Sequence, residues 1–245
     1  MRVAVRTDVG RVREINEDCA FTDSEAGLAI LADGMGGHLA GEVASGLAVE
    51  TLAGCVLHAL KEQKPEEEPE AIISILRQCI DEANRRVCER AAEDNNLKGM
   101  GTTIVVAVAK GKMIHIAHVG DSRAYLMRAG ELRQVTRDHS LVQEMLSCGQ
   151  ISEREVATHP MRNVLTRALG NESEIQADVQ ALEWQDKDCL LLCSDGLTTM
   201  VEDSKIGKIL GRYGSDLEAA CDELIRAANS RGGKDNITVI LACPA

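Results

Sequence analysis

The stretch Leu28-Ala29-Ile30-Leu31-Ala32-Asp33-Gly34-Met35-Gly36-Gly37-His38 runs an apolar segment directly into an acidic, glycine-rich turn. Consecutive apolar residues from Leu28 to Ala32 read as a strand buried on both faces. Asp33 to Gly37 breaks that pattern, and Leu39 to Leu60 then shows helical spacing. Small residues at Ala40, Ala44, Ala48 and Ala53 let that helix approach a sheet closely. An aspartate at the end of a core strand stands on a rigid support that can aim it. Two others share this setting: Asp195 follows Leu190-Leu-Leu-Cys-Ser194, and Asp235 precedes Ile237-Thr-Val-Ile-Leu241. Asn16-Glu17-Asp18 and the turn Gly120-Asp121-Ser122 add further acids. Singly, Asp-Gly is an ordinary turn dipeptide. Carboxylates this far apart in sequence meet only through a fold, and those that meet need a cation, because unpaired buried charges cost several kcal/mol. Oxygen ligands of this kind suit hard divalent ions.

Outward from this stretch, Val3 to Thr7 and Asp18 to Thr22 are strand candidates, and Lys61 to Glu70 is a solvated acidic loop. Ala71 to Ala92 repeats apolar residues at Ile72, Ile75, Leu76, Cys79, Ile80, Ala83 and Val87, the pattern of an amphipathic helix. A β meander is expected from Thr102 to Ala109, Met113 to Val119, Arg123 to Met127 and Leu132 to Val135, with turn compositions between. Short helices at Ser140 to Leu146 and Ser152 to Ala157 lie in polar surroundings, and Ser152-Glu-Arg-Glu155 is a capping box. The segment of about 140–166 reads as a flap. Strands return at Glu174 to Leu182, Cys189 to Cys193 and Ile237 to Ala242, with a helix at Asp216 to Asn229 and a weaker one after Asp203. No linker divides the chain, so residues 1–245 are expected to form a single domain. Paired helices between groups of antiparallel strands imply an α+β, four-layer α-β-β-α sandwich, two sheets face to face with helices outside.

Composition limits the function classes. Apolar residues make up 44% of 245, enough for a sizeable core, yet one Trp, two Tyr and one Phe leave that core aliphatic. The opening Met1-Arg-Val-Ala-Val-Arg is too short and charged for a signal peptide, and no apolar run is expected to span a membrane. Nine cysteines without a pairing rhythm read as reduced thiols in a cytoplasmic protein. A net charge of −12 argues against nucleic acid or an anionic membrane as partner. It would also repel a phosphorylated ligand unless a bound cation intervened.

Arg13-x-x-Asn16-Glu17-Asp18, Asp33-Gly-Met-Gly-Gly-His38 with Ala40-Gly41-Glu42, and Gly101-Thr-Thr103 occur in succession. Gly120-Asp-Ser-Arg123, Asp138-His-Ser140, Leu165-Thr-Arg-Ala-Leu-Gly170, Ser194-Asp-Gly196 and Asp235-Asn-Ile-Thr238 follow. In that order the chain resembles the metal-dependent serine/threonine protein phosphatases of the PP2C (PPM) family, in their short stand-alone bacterial form. The resemblance implies hydrolysis of phosphoserine and phosphothreonine by a hydroxide bridging two ions, Mn²⁺ or Mg²⁺, without a phosphoenzyme. Asp33 and the Gly34 carbonyl match ligands of one ion, with Asp33 bridging, and Asp195 and Asp235 match ligands of the other. Glu17 and Asp18 match acids that hold metal-bound waters, and Asp121 a ligand of a third ion. Arg13 matches the phosphate-binding arginine. His38 is a candidate general acid; its alternative is a cap for the following helix. The implied partners are phosphorylated proteins, among them a serine/threonine kinase and its substrates, met by a monomer.

Rival readings are weaker. Cys148 to Arg154 and Cys79 to Arg85 have the Cys-x5-Arg spacing of cysteine-dependent phosphatases, but neither has the glycine-rich surround that would cradle phosphate. The metal-loop glycines lack the Lys-Ser/Thr of a nucleotide P-loop. A non-catalytic phosphoprotein-binding or scaffold member of the same fold is the remaining alternative, and the retained aspartates argue against it.

Overall fold

The computed structural model describes residues 1–36, 39–62, 69–156, 158–214 and 216–244. In chain order the strands are β1 (Arg2–Asp8), β2 (Asp18–Asp23), β3 (Leu28–Met35), β4 (Gly101–Thr102), β5 (Ile104–Lys110) and β6 (Met113–Val119). They continue as β7 (Arg123–Arg128), β8 (Glu131–Gln134), β9 (Asp178–Glu183), β10 (Cys189–Cys193) and β11 (Ile237–Cys243). The helices are α1 (Leu39–Glu62), α2 (Pro69–Glu93), α3 (Leu141–Ser147), α4 (Glu153–Val156), α5 (Asp195–Thr198), α6 (Asp203–Tyr213) and α7 (Leu217–Ser230).

Two antiparallel sheets form, one ordered β1-β11-β10-β7-β8, the other β2-β3-β5-β6-β9 with β4 against the end of β3. Strand alternation explains the doubly apolar runs. Along β3, Leu28, Ile30 and Ala32 face α1 and α2, while Ala29 and Leu31 face the other sheet. Along β10, Leu191 and Cys193 face α6 and α7, while Leu190 and Leu192 meet β3 and β5 side chains between the sheets. Three apolar interfaces thus stack as helices, sheet, sheet, helices, the expected four layers. Each buried Leu or Ile in them contributes about 1.5–3 kcal/mol.

Several expectations need correction. The meander is split: β6 pairs with β5 and β9, whereas β7 pairs with β8 and β10 in the facing sheet. The chain changes sheets at Gly120, whose φ of 105° favours glycine. β3 does not stop at Ala32 but continues to Met35, because β4 supplies a partner for Gly34 and Met35. The strand expected from Glu174 begins only at Asp178. Not all cysteines are reduced: Cys55 on α1 and Cys79 on α2 are joined by a disulfide, leaving seven free. α1 is long and apolar enough, by length and composition, to cross a membrane, contrary to expectation. Its buried residues, including Ala44, Ala48 and Leu52, pack instead into the core over β3 and α2. Much of the expected acidic loop at Lys61 to Glu70 lies outside the described residues.

Candidate metal centre

Five carboxylates reach one place from five parts of the chain. Asp18 opens β2 directly opposite Asp33 on β3. Asp195 begins α5 at the end of β10, Asp235 precedes β11, and Asp121 sits where the chain crosses between sheets. Main-chain bonds occupy the backbone of Asp33: its N–H donates to Thr103 Oγ1 (3.0 Å), and its carbonyl accepts from Thr103 N (2.9 Å) and Thr102 Oγ1 (2.9 Å). The side chain is left to project from a fixed base.

Close backbone approach sets the next layer. A Cβ on Gly34 would lie 2.1 Å from the Gly41 carbonyl oxygen, and one on Gly41 would lie 2.6 Å from Glu17 Oε1. The start of α1 therefore presses on β3 and on Glu17 with no room for side chains. The Glu17 carbonyl accepts from Gly34 N (3.1 Å) and Ser45 Oγ (2.6 Å). Asn236 draws the 9–17 segment inward. Its Oδ1 accepts from Glu17 N (2.8 Å), and its Nδ2 donates to the Val9 (3.0 Å) and Ile15 (2.9 Å) carbonyls. Ser194 Oγ donates to Asp18 Oδ2 (2.8 Å) and accepts from Thr238 N (3.0 Å).

The electrostatics ask for positive charge. Burial, reinforced by Asp18, Asp195, Asp121 and Asp235, pushes the Asp33 carboxyl well above the usual range. Burial and the neighbouring acids likewise push Asp18 and Asp121 up to about 7 and Asp195 up to about 6. Burial also raises Glu17. Glu17 Oε1 and Asp18 Oδ1 are buried without any hydrogen-bond partner. Orphaned carboxylate oxygens inside a cluster of acids fit divalent cations, and an all-oxygen donor set suits Mg²⁺ or Mn²⁺ better than Zn²⁺.

Beside the acids lies a cavity of about 280 Å³, lined by Asp121, Asp195, Arg123, Asp138, Arg162 and Asn163 among others. The last two bring the flap's return to the cluster. Arg123 forks onto Asp138 (Nη2–Oδ2 2.7 Å), so this arginine is already neutralised. Arg13 is half exposed, donating to Asp235 Oδ2 (2.9 Å) with Glu17 3.9 Å away. His139 is structural: its N–H donates to the Gly120 carbonyl (2.9 Å), its Nδ1 accepts from Gly120 N (3.2 Å), and its carbonyl accepts from Thr166 N (2.9 Å). It ties the flap to the Asp121 turn. Burial, with His118 and Arg167 nearby, lowers it to about 4, so it is neutral near pH 7. His118, His139 and Asp178 could in principle ligate an ion. Arg167 already supplies the positive charge there, 2.9 Å from Asp178 Oδ1.

Glu17, Asp18, Asp33, Gly34, Asp121, Asp195, Asp235 and Arg13 are thus brought together, while His38 lies outside the described residues. Asn236, Ser194, Thr238 and Thr103 hold the site through hydrogen bonds that residue type and spacing do not announce. Their signal in the sequence is membership of the motifs Gly101-Thr-Thr103, Ser194-Asp-Gly196 and Asp235-Asn-Ile-Thr238. Neither cysteine of the rival Cys-x5-Arg reading reaches the site: Cys79 on α2 is bonded to Cys55 on α1, and Cys148 caps the C-terminus of α3.

The protein phosphatase 2C family profile matches residues 11–242. A serine/threonine phosphatase stp of Listeria monocytogenes is 44% identical over 244 residues, 98% of this chain and 95% of that protein. Among solved structures, a Streptococcus agalactiae serine/threonine phosphatase superposes with a TM-score of 0.90 at 37% identity, covering 100% of this chain and 99% of the other. The catalytic domain of the phosphatase PstP, solved in complex with two manganese ions, gives a TM-score of 0.85 at 35% identity over 98% and 96% of the chains.

Proposed function

The chain belongs to the protein phosphatase 2C family as a metal-dependent phosphoprotein phosphatase, and on that premise we propose that it hydrolyses phosphoserine and phosphothreonine in proteins. The reading extends to opposing a bacterial serine/threonine kinase as a cytoplasmic monomer. One observation carries it: buried acids from distant segments face one another with Glu17 Oε1 and Asp18 Oδ1 unpartnered.

Asp33 and the Gly34 carbonyl would hold one ion, and Asp195 and Asp235, together with Asp33, would hold a second. Glu17 and Asp18 are assigned to waters around them, and Asp121 to a third ion. Two such ions, Mn²⁺ or Mg²⁺, would supply when bound a water of lowered pKa for in-line attack on phosphorus and a counter-charge for the phosphoryl oxygens. The chain's own groups do the rest. Arg13, exposed beside the cluster, offers a planar fork to two phosphate oxygens. Asn236 and Ser45 fix the segment carrying Arg13 and Glu17. His38 is assigned leaving-group protonation from sequence alone.

A protein substrate suits the rim. The exposed large apolar residues among those described are Val12, Ile15 and Leu39, beside Arg13 and the start of α1, and Met161 and Val164, on the flap. A cytoplasmic setting fits the seven free thiols, to which the Cys55–Cys79 bond is the exception.

The test is release of phosphate from phosphoserine, phosphothreonine and phosphotyrosine peptides, with Mn²⁺ added or chelated. Metal-dependent turnover of the first two is expected. Turnover untouched by a chelator, or none with any metal, would overturn the reading.

A further inference from the structure

Across the β1-β11-β10-β7 part of one sheet, Arg2 faces Cys243 and Cys189 faces Met127 in register. Leu190 faces Ala242, so one step further along the same antiparallel pair Cys189 stands opposite Cys243. Residues in one such row project from the same face of the sheet. All four do so here, lining a groove of about 670 Å³ at the end of the sheet away from the metal centre, with Leu210 of α6 and Lys187. Directly opposed residues of an antiparallel pair have Cα atoms about 4.5–5.5 Å apart, within the range a disulfide requires.

Both side chains are buried, with Cys189 Sγ 4.0 Å from the Leu190 carbonyl oxygen, and the proximity of the two sulfurs favours the thiol form of Cys189 and the thiolate of Cys243. Arg2, the cross-strand neighbour of Cys243, favours that thiolate as well. Cys221 lies behind the pair, buried and hydrogen-bonded to the Ala4 carbonyl (3.8 Å).

We propose that Cys189 and Cys243 form a dithiol site that low-molecular-weight disulfides entering this groove oxidise to a cross-strand disulfide. The Cys243 thiolate attacks one sulfur of the incoming disulfide, breaking its S–S bond and releasing one thiolate. Cys189 then loses its proton and attacks the Cys243 sulfur of the mixed disulfide, releasing the second thiolate. The two cysteines together lose two protons and two electrons, and the incoming disulfide leaves as two thiols. The bond would join the far ends of the strands that deliver Asp195 and Asp235, fixing their register without touching either acid. It is independent of the phosphatase reading, because its readout is sulfur chemistry.

The experiment reduces the full chain, removes the reductant, adds glutathione disulfide, then alkylates remaining thiols and maps peptides by mass. The expected product is a peptide pair linking Cys189 to Cys243 in most molecules. Exposed Cys148 should carry glutathione under the same conditions. In Cys189→Ser the second step is blocked, so Cys243 should retain glutathione. Full alkylation of Cys189 and Cys243 after an exposure that modifies Cys148 would overturn the proposal. So would a bond from either cysteine to Cys221.

Discussion

Asp18 and Asp33 stand directly opposite each other across the β2–β3 pair. Like charges in that relationship are destabilising, because the side chains lie within about 5.5 Å of one another. Here Asp195, Asp121 and Asp235 surround the pair as well. A fold that assembles such a cluster gains from any cation that enters it.

Without metal, stability should fall as pH rises. Asp18, Asp121 and Asp195 have folded pKa values raised from 3.8 to about 7, 7 and 6. Between those limits the folded chain holds more protons than the unfolded one, so each unit of rising pH favours unfolding. Chelated protein should therefore melt at a lower temperature at pH 7.5 than at pH 5, and saturating Mn²⁺ should reverse the trend at pH 7.5. A chelated protein most stable at pH 7.5 would contradict the cluster.

Asp33→Asn should abolish turnover, a loss of at least about 10³-fold. It should also raise the melting temperature of the chelated protein at pH 7.5, since one of the opposed charges is gone. A variant that lost activity by unfolding would show the opposite shift.

Gly34→Ala and Gly46→Ala separate contact from propensity. The first places a methyl 2.1 Å from the Gly41 carbonyl oxygen, whereas the second, within α1, meets nothing within 4 Å. Denaturant titration should show Gly34→Ala destabilised by about 1–3 kcal/mol through forced overpacking. Gly46→Ala should gain about 0.5–1 kcal/mol from helix propensity.

Asn236→Ala removes three hydrogen bonds that hold the 9–17 segment. At about 0.5–1.5 kcal/mol each, the loss should be about 1.5–4.5 kcal/mol. Steady-state assays should also show higher Mn²⁺ concentrations needed for half-maximal activity, because Glu17 loses its backbone anchor.

Arg13→Ala should lower kcat/KM toward phosphopeptides about 10–100-fold, the worth of about 1.5–3 kcal/mol of charge-assisted hydrogen bonding. Arg13→Lys should restore only part of this, since a point charge does not match two phosphate oxygens as a planar fork does. Full rescue by lysine would leave Arg13 as the partner of Asp235 only.

Much of this arrangement is legible in the sequence. The run Leu28 to Ala32 announces a strand buried on both faces, and the structure puts its alternate residues into two different apolar interfaces. The acids could be placed because they follow or precede such runs. What stayed hidden depends on relations between elements. Gly120-Asp-Ser has a turn composition whether the next strand pairs with the last or crosses to the facing sheet. Helical periodicity places Cys55 and Cys79 on α1 and α2, but not in the relative register that brings their Cα atoms to 5.6 Å. Asn236 and Ser194 read as turn residues, although their amide and hydroxyl groups anchor Glu17 and Asp18.

Anomalous scattering from crystals grown with Mn²⁺ bears most directly on what all of this assumes. Two neighbouring peaks are predicted, both within coordination distance of Asp33, one also beside the Gly34 carbonyl and the other beside Asp195 and Asp235. Crystals of active protein with no peak at Asp33, or with manganese bound only elsewhere, would contradict the account.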